Sequence, residues 1–177
     1  MRTNPATMVA LLALTATLPA NAAPEHHSHY AGQQHRAIKS LSPDDLSELR
    51  RGGGWGLAKA AELNGMPGPA HLLELKDEIP LTPDQITAIE DLFLDMRRRA
   101  ITAGEKLIQL EQQLDHAFKS RHITDQRLRD LLSHIARVRE ELRYIHLSTH
   151  LRTPEILTAA QIDKYNSLRG YKTPADP

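Results

Sequence analysis

The residues best suited to chemistry in this chain are its histidines, ten among 177 residues. Imidazole changes charge near neutral pH and offers a ring nitrogen to transition metals. Two settings stand out. Near the N-terminus, Glu25-His26-His27-Ser28-His29, with His35 further on, lies in a polar stretch rich in His and Gln. Such a tract can bind Zn, Cu or Ni through His26, His27 and His29. It reads equally well as a solvated tail. Further along, His146 and His150 are four residues apart, so on a helix they share a face and can chelate one ion. His146-Leu147-Ser148-Thr149-His150 lacks the glutamate that acts as base in H-E-x-x-H metalloproteases. The pair is therefore a candidate binding site without hydrolysis, or a polar helix end with His150 near the negative end of the dipole. His71, His116, His122 and His134 stand alone and read as surface residues.

Other chemistries find no support. The chain has no cysteine, which excludes disulfides, thiolate metal sites and thiol catalysis. There is no G-x-S-x-G elbow. Gly52-Gly53-Gly54 lacks the Lys-Ser/Thr of a phosphate loop and follows no strand pattern, so it reads as a connector. No catalytic constellation remains, and the chain reads as a non-enzyme with no required cofactor. Its first 22 residues have the layout of a secretory signal: Arg2, an apolar run over 8–18, and Ala20-Asn21-Ala22 as cleavage site. The run is too short to span a bilayer as a stable helix. The expected mature chain starts at Ala23, is periplasmic and keeps no stable anchor. Without Arg2 it carries 21 basic against 22 acidic residues, a balance that argues against nucleic acid as partner.

Any such site must be positioned by helices, and their starts are well marked. In Leu81-Thr82-Pro83-Asp84-Gln85-Ile86, Thr82 suits the N-cap and Gln85 completes a capping box. Pro83 fits the first helical position, Asp84 faces the positive end of the dipole, and Leu81 with Ile86 forms a hydrophobic staple. Leu157-Thr158-Ala159-Ala160-Gln161-Ile162 repeats the pattern, and Leu41-Ser42-Pro43-Asp44-Asp45-Leu46 is a degenerate third copy. From residue 83 to 118, Ile86, Ile89, Phe93, Met96, Ala100, Ala103, Leu107, Leu110, Leu114 and Ala117 alternate three and four apart, a heptad seam along a helix of roughly 54 Å. Leu128, Leu131, Ile135, Val138, Leu142, Ile145 and Thr149 make a second seam after a short loop, with Thr124 as cap and Thr153-Pro154 as stop. The expected fold is all-α: a long antiparallel helical hairpin flanked by shorter helices over 43–50, 57–63, 70–78 and 159–169. Trp55 is expected to anchor the N-terminal part on the main body. The expected divisions are a signal (1–22), a disordered His-rich arm (23–40), a short-helix and Gly-rich extension (41–66), the helical domain (67–171) and a tail (172–177).

Leu94, Ile101 and Ile108 form a further apolar stripe at intervals of seven beside the first seam. Arginines flank it, Arg97, Arg98 and Arg137 among them. The short helices or a second subunit can cover it. Left open, it suits weak, adaptable contacts with unfolded chains.

Two full L-T-x-x-Q-I boxes, one before the long helices and one after, resemble the L-T-x-x-Q family of bacterial periplasmic proteins, with its Spy/CpxP-type chaperones and its heavy-metal sensor and resistance members. The resemblance covers about residues 67–171. It implies a curved helical homodimer that acts as an ATP-independent chaperone or envelope-stress adaptor. The implied partners are unfolded or misfolded envelope proteins and a sensor kinase or anti-sigma partner. The metal-related members imply heavy-metal binding as the alternative.

Overall fold

The computed structural model describes residues 28–171. The expected signal, His26, His27 and the expected tail over 172–177 lie outside the described residues. Residues 28–32 fall in a first unit and are a turn, with His29 exposed. The second unit begins at Gln33 and holds every helix among the described residues. These are α1 (Pro43–Arg51), α2 (Lys59–Glu62), α3 (Pro69–Glu74), α4 (Pro83–Lys119), α5 (Asp125–Arg152) and α6 (Ala159–Leu168), with 3-10 turns at Gln33–His35 and Thr153–Ile156. No strand occurs among the described residues, so the chain is all-helical there.

Each expected cap is made. The Thr82 and Thr158 hydroxyls accept from the N–H groups of Gln85 and Gln161, and both glutamine side chains reach back to the cap N–H. The degenerate copy works too, with Asp45 in the glutamine's role opposite Ser42. Thr124 caps α5. Pro154 helps to stop α5, because its nitrogen carries no N–H to continue the ladder. Two short helices are shorter than their sequence suggests. α2 lacks a side-chain cap and sits between Gly56 and Gly65, both left-handed. After α3, turns at Glu78 and Ile79, both bonded to the Leu75 carbonyl, bury Ile79 in place of extending the helix.

The long helices pack along the seams. Met96, Ala100, Ala103, Leu107 and Leu110 of α4 share one core with Ile135, Leu142 and Ile145 of α5. Burying a Leu or Ile side chain fully stabilises by about 1.5–3 kcal/mol, so this seam outweighs any single cap. A second core surrounds the start of α4, where Leu72, Ile79, Ile89 and Tyr165 pack with Leu81, Leu157 and Leu168.

Two sets of contacts cross the expected divisions. Ile38, within the arm expected over 23–40, is 1 % exposed and belongs to the first core, as does Leu41 just after the arm. Ser40 Oγ donates to Glu111 at 2.8 Å, and Lys39 pairs with Asp115 at 3.6 Å. In the extension, α1 packs on α4 and Leu49 joins the same core. The contact depends on glycine. A Cβ on Gly104 of α4 would stand 2.5 Å from the Leu49 carbonyl oxygen, and one on left-handed Gly52 would stand 2.8 Å from the Arg97 carbonyl oxygen. Gly52, read as part of a connector, is thus the cap of α1 and a point of close backbone approach.

Candidate functional site

The two L-T-x-x-Q boxes meet. The Gln85 amide nitrogen donates to Gln161 Oε1 at 2.9 Å, and the Gln161 amide nitrogen donates to Gln85 Oε1 at 2.8 Å. Each nitrogen's second proton goes to the residue two places before the other box's cap: Gln85 to the Ile156 carbonyl at 2.7 Å, Gln161 to the Pro80 carbonyl at 2.8 Å. Each oxygen also accepts from its own cap N–H, Thr82 at 3.0 Å and Thr158 at 2.8 Å. Both amides therefore make their full complement of bonds. Leu81 and Leu157 pack against the second core beside them. The six box residues form one joint that fastens the start of α4 to the start of α6.

A cavity of about 470 Å³ opens elsewhere, bounded by the loop after α1 and by α2, α3, α4 and α5. Trp55, Phe93 and Met96 supply its apolar wall, and Arg51, Lys59 and Arg97 its cations. Trp55 takes the left-handed conformation at φ 44°, uncommon for a bulky residue. Its indole N–H donates to Asp45 at 2.8 Å, and the Arg139 guanidinium lies 5.3 Å from the ring centre. Trp55 also packs on the first core, so it is the expected anchor as well as part of the cavity wall.

His146 and His150 both line this cavity, and both are buried. His150 donates from Nδ1 to the Met66 carbonyl at 2.8 Å, so in the neutral ring Nε2 keeps its lone pair. Gly68 makes room for that ring, since a Cβ there would stand 2.5 Å from it. His146 is 3 % exposed, and its Nε2 has no hydrogen-bond partner among the described residues. Burial, and then the charge of His150, push the His146 imidazole down to about 4. Two imidazoles fit two positions of a tetrahedral metal site. Among the described residues no group of three or more His, Cys, Asp or Glu side chains is placed around one ion.

Sequence reading missed Glu62. Its Oε1 accepts from Tyr165 at 2.6 Å, from His71 at 3.0 Å and from Tyr171 at 3.0 Å, and pairs with Arg169 at 3.3 Å. Burial raises its carboxyl, but the hydrogen bonds from His71 and Tyr165, the His71 charge and the Tyr171 bond outweigh it and hold the group at about 2. The same burial and the facing carboxylate push Tyr165 well above its usual range. Glu62 thereby ties α2 to α3, α6 and the residues after α6. No local pattern marks it, because its partners are 9 to 109 residues away. His71, read as a lone surface residue, belongs to this cluster.

The residues expected to bind clients are dispersed. Leu94 is 56 % exposed. Ile101 is half-buried, close to Gly52. Ile108 is buried in the core shared with Leu49, so that part of the stripe is covered from within the chain and offers no surface. Arg97, Arg98 and Arg137 are exposed. Arg97 Nε donates to the Arg51 carbonyl, and Arg98 pairs with Asp95. Among large apolar side chains, Phe118, Leu132, Tyr144 and Leu151 are also exposed.

Compared with protein-family models, with curated proteins and with solved structures, the chain matches none.

Proposed function

We propose that this chain is a periplasmic, ATP-independent chaperone or envelope-stress adaptor of the Spy/CpxP kind, working without a required cofactor. One observation carries the reading: two L-T-x-x-Q boxes lie 76 residues apart in sequence, and their glutamines pair reciprocally. A repeated motif that closes on itself fixes the ends of a long helical frame, so the function falls to the surface of that frame. In this reading α4 and α5 are the arms of an antiparallel hairpin, an arrangement favoured by the Arg139–Glu111 pair and the shared seam. Two such hairpins form a curved homodimer. Leu94, Phe118, Leu132, Tyr144 and Leu151 offer the exposed apolar contacts, and the exposed Arg97, Arg98 and Arg137 supply positive charge. Unfolded or misfolded envelope proteins are the clients, and a sensor kinase or anti-sigma protein is the partner in the adaptor role. The test is light scattering from a reduced or heat-unfolded client with and without the mature protein. Suppression near stoichiometric ratios by a dimeric species supports the proposal, and a strictly monomeric protein without effect on several clients rejects it.

Heavy-metal binding is the second reading, favoured by the buried His146 ring with its unpartnered Nε2 beside His150. Zn, Cu or Ni would be held by this pair, and by His26, His27 and His29 in the arm. Calorimetry on the mature protein, on a chain lacking 24–35 and on the His146→Ala/His150→Ala variant separates the two sites. Absence of heat with all three metals rejects this reading.

A further inference from the structure

We infer that the cavity beside Trp55 is a binding site for an amphipathic organic anion, an aromatic or branched acid with its body on Trp55, Phe93 and Met96 and its head at Arg51, Lys59 and Arg97. The inference goes beyond client or metal binding and does not depend on either.

About 470 Å³ lies within the range of sites that take small organic molecules, and such sites combine apolar walls with a few polar groups. The wall here is built rather than incidental. Trp55 is held in a left-handed turn, and three separate contacts fix it: Asp45 on the indole N–H, Glu48 on the backbone N–H at 3.4 Å, and Arg139 over the ring. Backbone conformations of this kind concentrate where a side chain must be presented at a particular place.

The charges decide the sign of the ligand. Two carboxylates, Glu62 and Glu74, line the cavity beside the three cations. Glu62 Oε1 is engaged by His71, Arg169 and two tyrosine hydroxyls, which offset its charge, while its Oε2 is buried without a hydrogen-bond partner among the described residues; Glu74 is the exposed acid. Among the cations, Arg51 is shared with Glu48. Arg97 uses Nε on the Arg51 carbonyl, and its two terminal nitrogens remain for a ligand. Lys59 is exposed and contributes a further ammonium. An acid head between Lys59 and Arg97 gains charge-assisted bonds, whereas an ammonium there meets like charge.

The chain's single tryptophan makes the site readable. The probe is 8-anilinonaphthalene-1-sulfonate, with N-phenyl-1-naphthylamine as its uncharged counterpart of nearly the same body. On the mature protein the sulfonate is expected to bind saturably at one site per chain, with energy transfer from Trp55. Lys59→Gln with Arg97→Gln, two exposed positions, is expected to weaken it about tenfold, the scale of one lost charge-assisted contact. The uncharged dye is expected to bind more weakly than the sulfonate and to be indifferent to the double variant. Circular dichroism and the unfolding midpoint confirm that the variant is folded. If it is not, 0.5 M salt replaces it, because screening weakens the sulfonate and spares the uncharged dye. Equal binding of the two dyes, indifference of the sulfonate to both the variant and salt, or unsaturable binding without transfer from Trp55 each overturns the inference.

Discussion

The side-chain amides of Gln85 and Gln161 face each other, two hydrogen bonds at 2.8–2.9 Å joining residues 76 apart. Each amide spends its other oxygen lone pair on its own helix cap and its other proton on a carbonyl before the partner's box. One residue type thus does two jobs: it completes a local cap and it makes a tertiary bond. Removing either glutamine strands groups on the other side, which makes the pair a sharp probe of the fold.

Gln161→Ala is expected to destabilise the protein by about 2–3 kcal/mol, because Gln161 is buried and its loss leaves the Pro80 carbonyl and part of the Gln85 amide unpaired. Gln85→Ala should cost somewhat less. In the double variant the effects should fall short of additivity by about 1 kcal/mol or more, as for residues in one network. Urea denaturation of the four proteins measures this. Strict additivity would show that the two boxes do not contact each other in solution.

Gly104→Ala sets two effects against each other. Alanine favours a helix over glycine by about 1 kcal/mol. Its Cβ would also meet the Leu49 carbonyl oxygen at 2.5 Å and push α1 off α4, a strain of about 1–3 kcal/mol. Net destabilisation is expected. A raised denaturation midpoint would mean that α1 does not rest at Gly104.

Ile108→Ala and Leu94→Ala distinguish a covered stripe from an open one. Ile108 sits in the core with Leu49, so its truncation should cost about 2–5 kcal/mol. Leu94 is 56 % exposed, so its truncation should stay within about 0.5 kcal/mol. Similar small losses at both sites would place Ile108 on the surface.

Acid should weaken the fold in two steps. His146 is held at about 4 in the folded chain, against an ordinary value near 6.5. Between those values the unfolded chain binds the extra proton, so stability falls as pH drops from about 6.5 to about 4. Glu62, held at about 2 against 4.5, extends the loss from about 4.5 downward. His146→Phe should flatten the upper step and Glu62→Gln the lower one. Denaturation midpoints measured from pH 7 to 3 test this, and a wild-type curve flat from 7 to 4 would contradict it.

The local sequence determined the long helices and the capped helix starts, though not the extent of α2 and α3. Thr82 with Gln85, Thr158 with Gln161, and Ser42 with Asp45 act within three residues, so a reader of the chain sees them directly. The seams are equally legible, because a spacing of three and four fixes which face of α4 and α5 is buried. What covers a face has no such signature. That α1 packs on α4, that Ile38, Leu49 and Ile108 share one core, and that Gly52 and Gly104 allow the close backbone approach followed only from the tertiary structure. So did the Gln85–Gln161 joint, the engagement of Glu62 by residues as far away as Tyr171, and the gathering of Trp55, Arg97 and His146 around one cavity. The physical reason is range. Caps and periodicity are local interactions repeated along the chain, whereas these contacts join segments far apart in sequence and come together only when the helices pack.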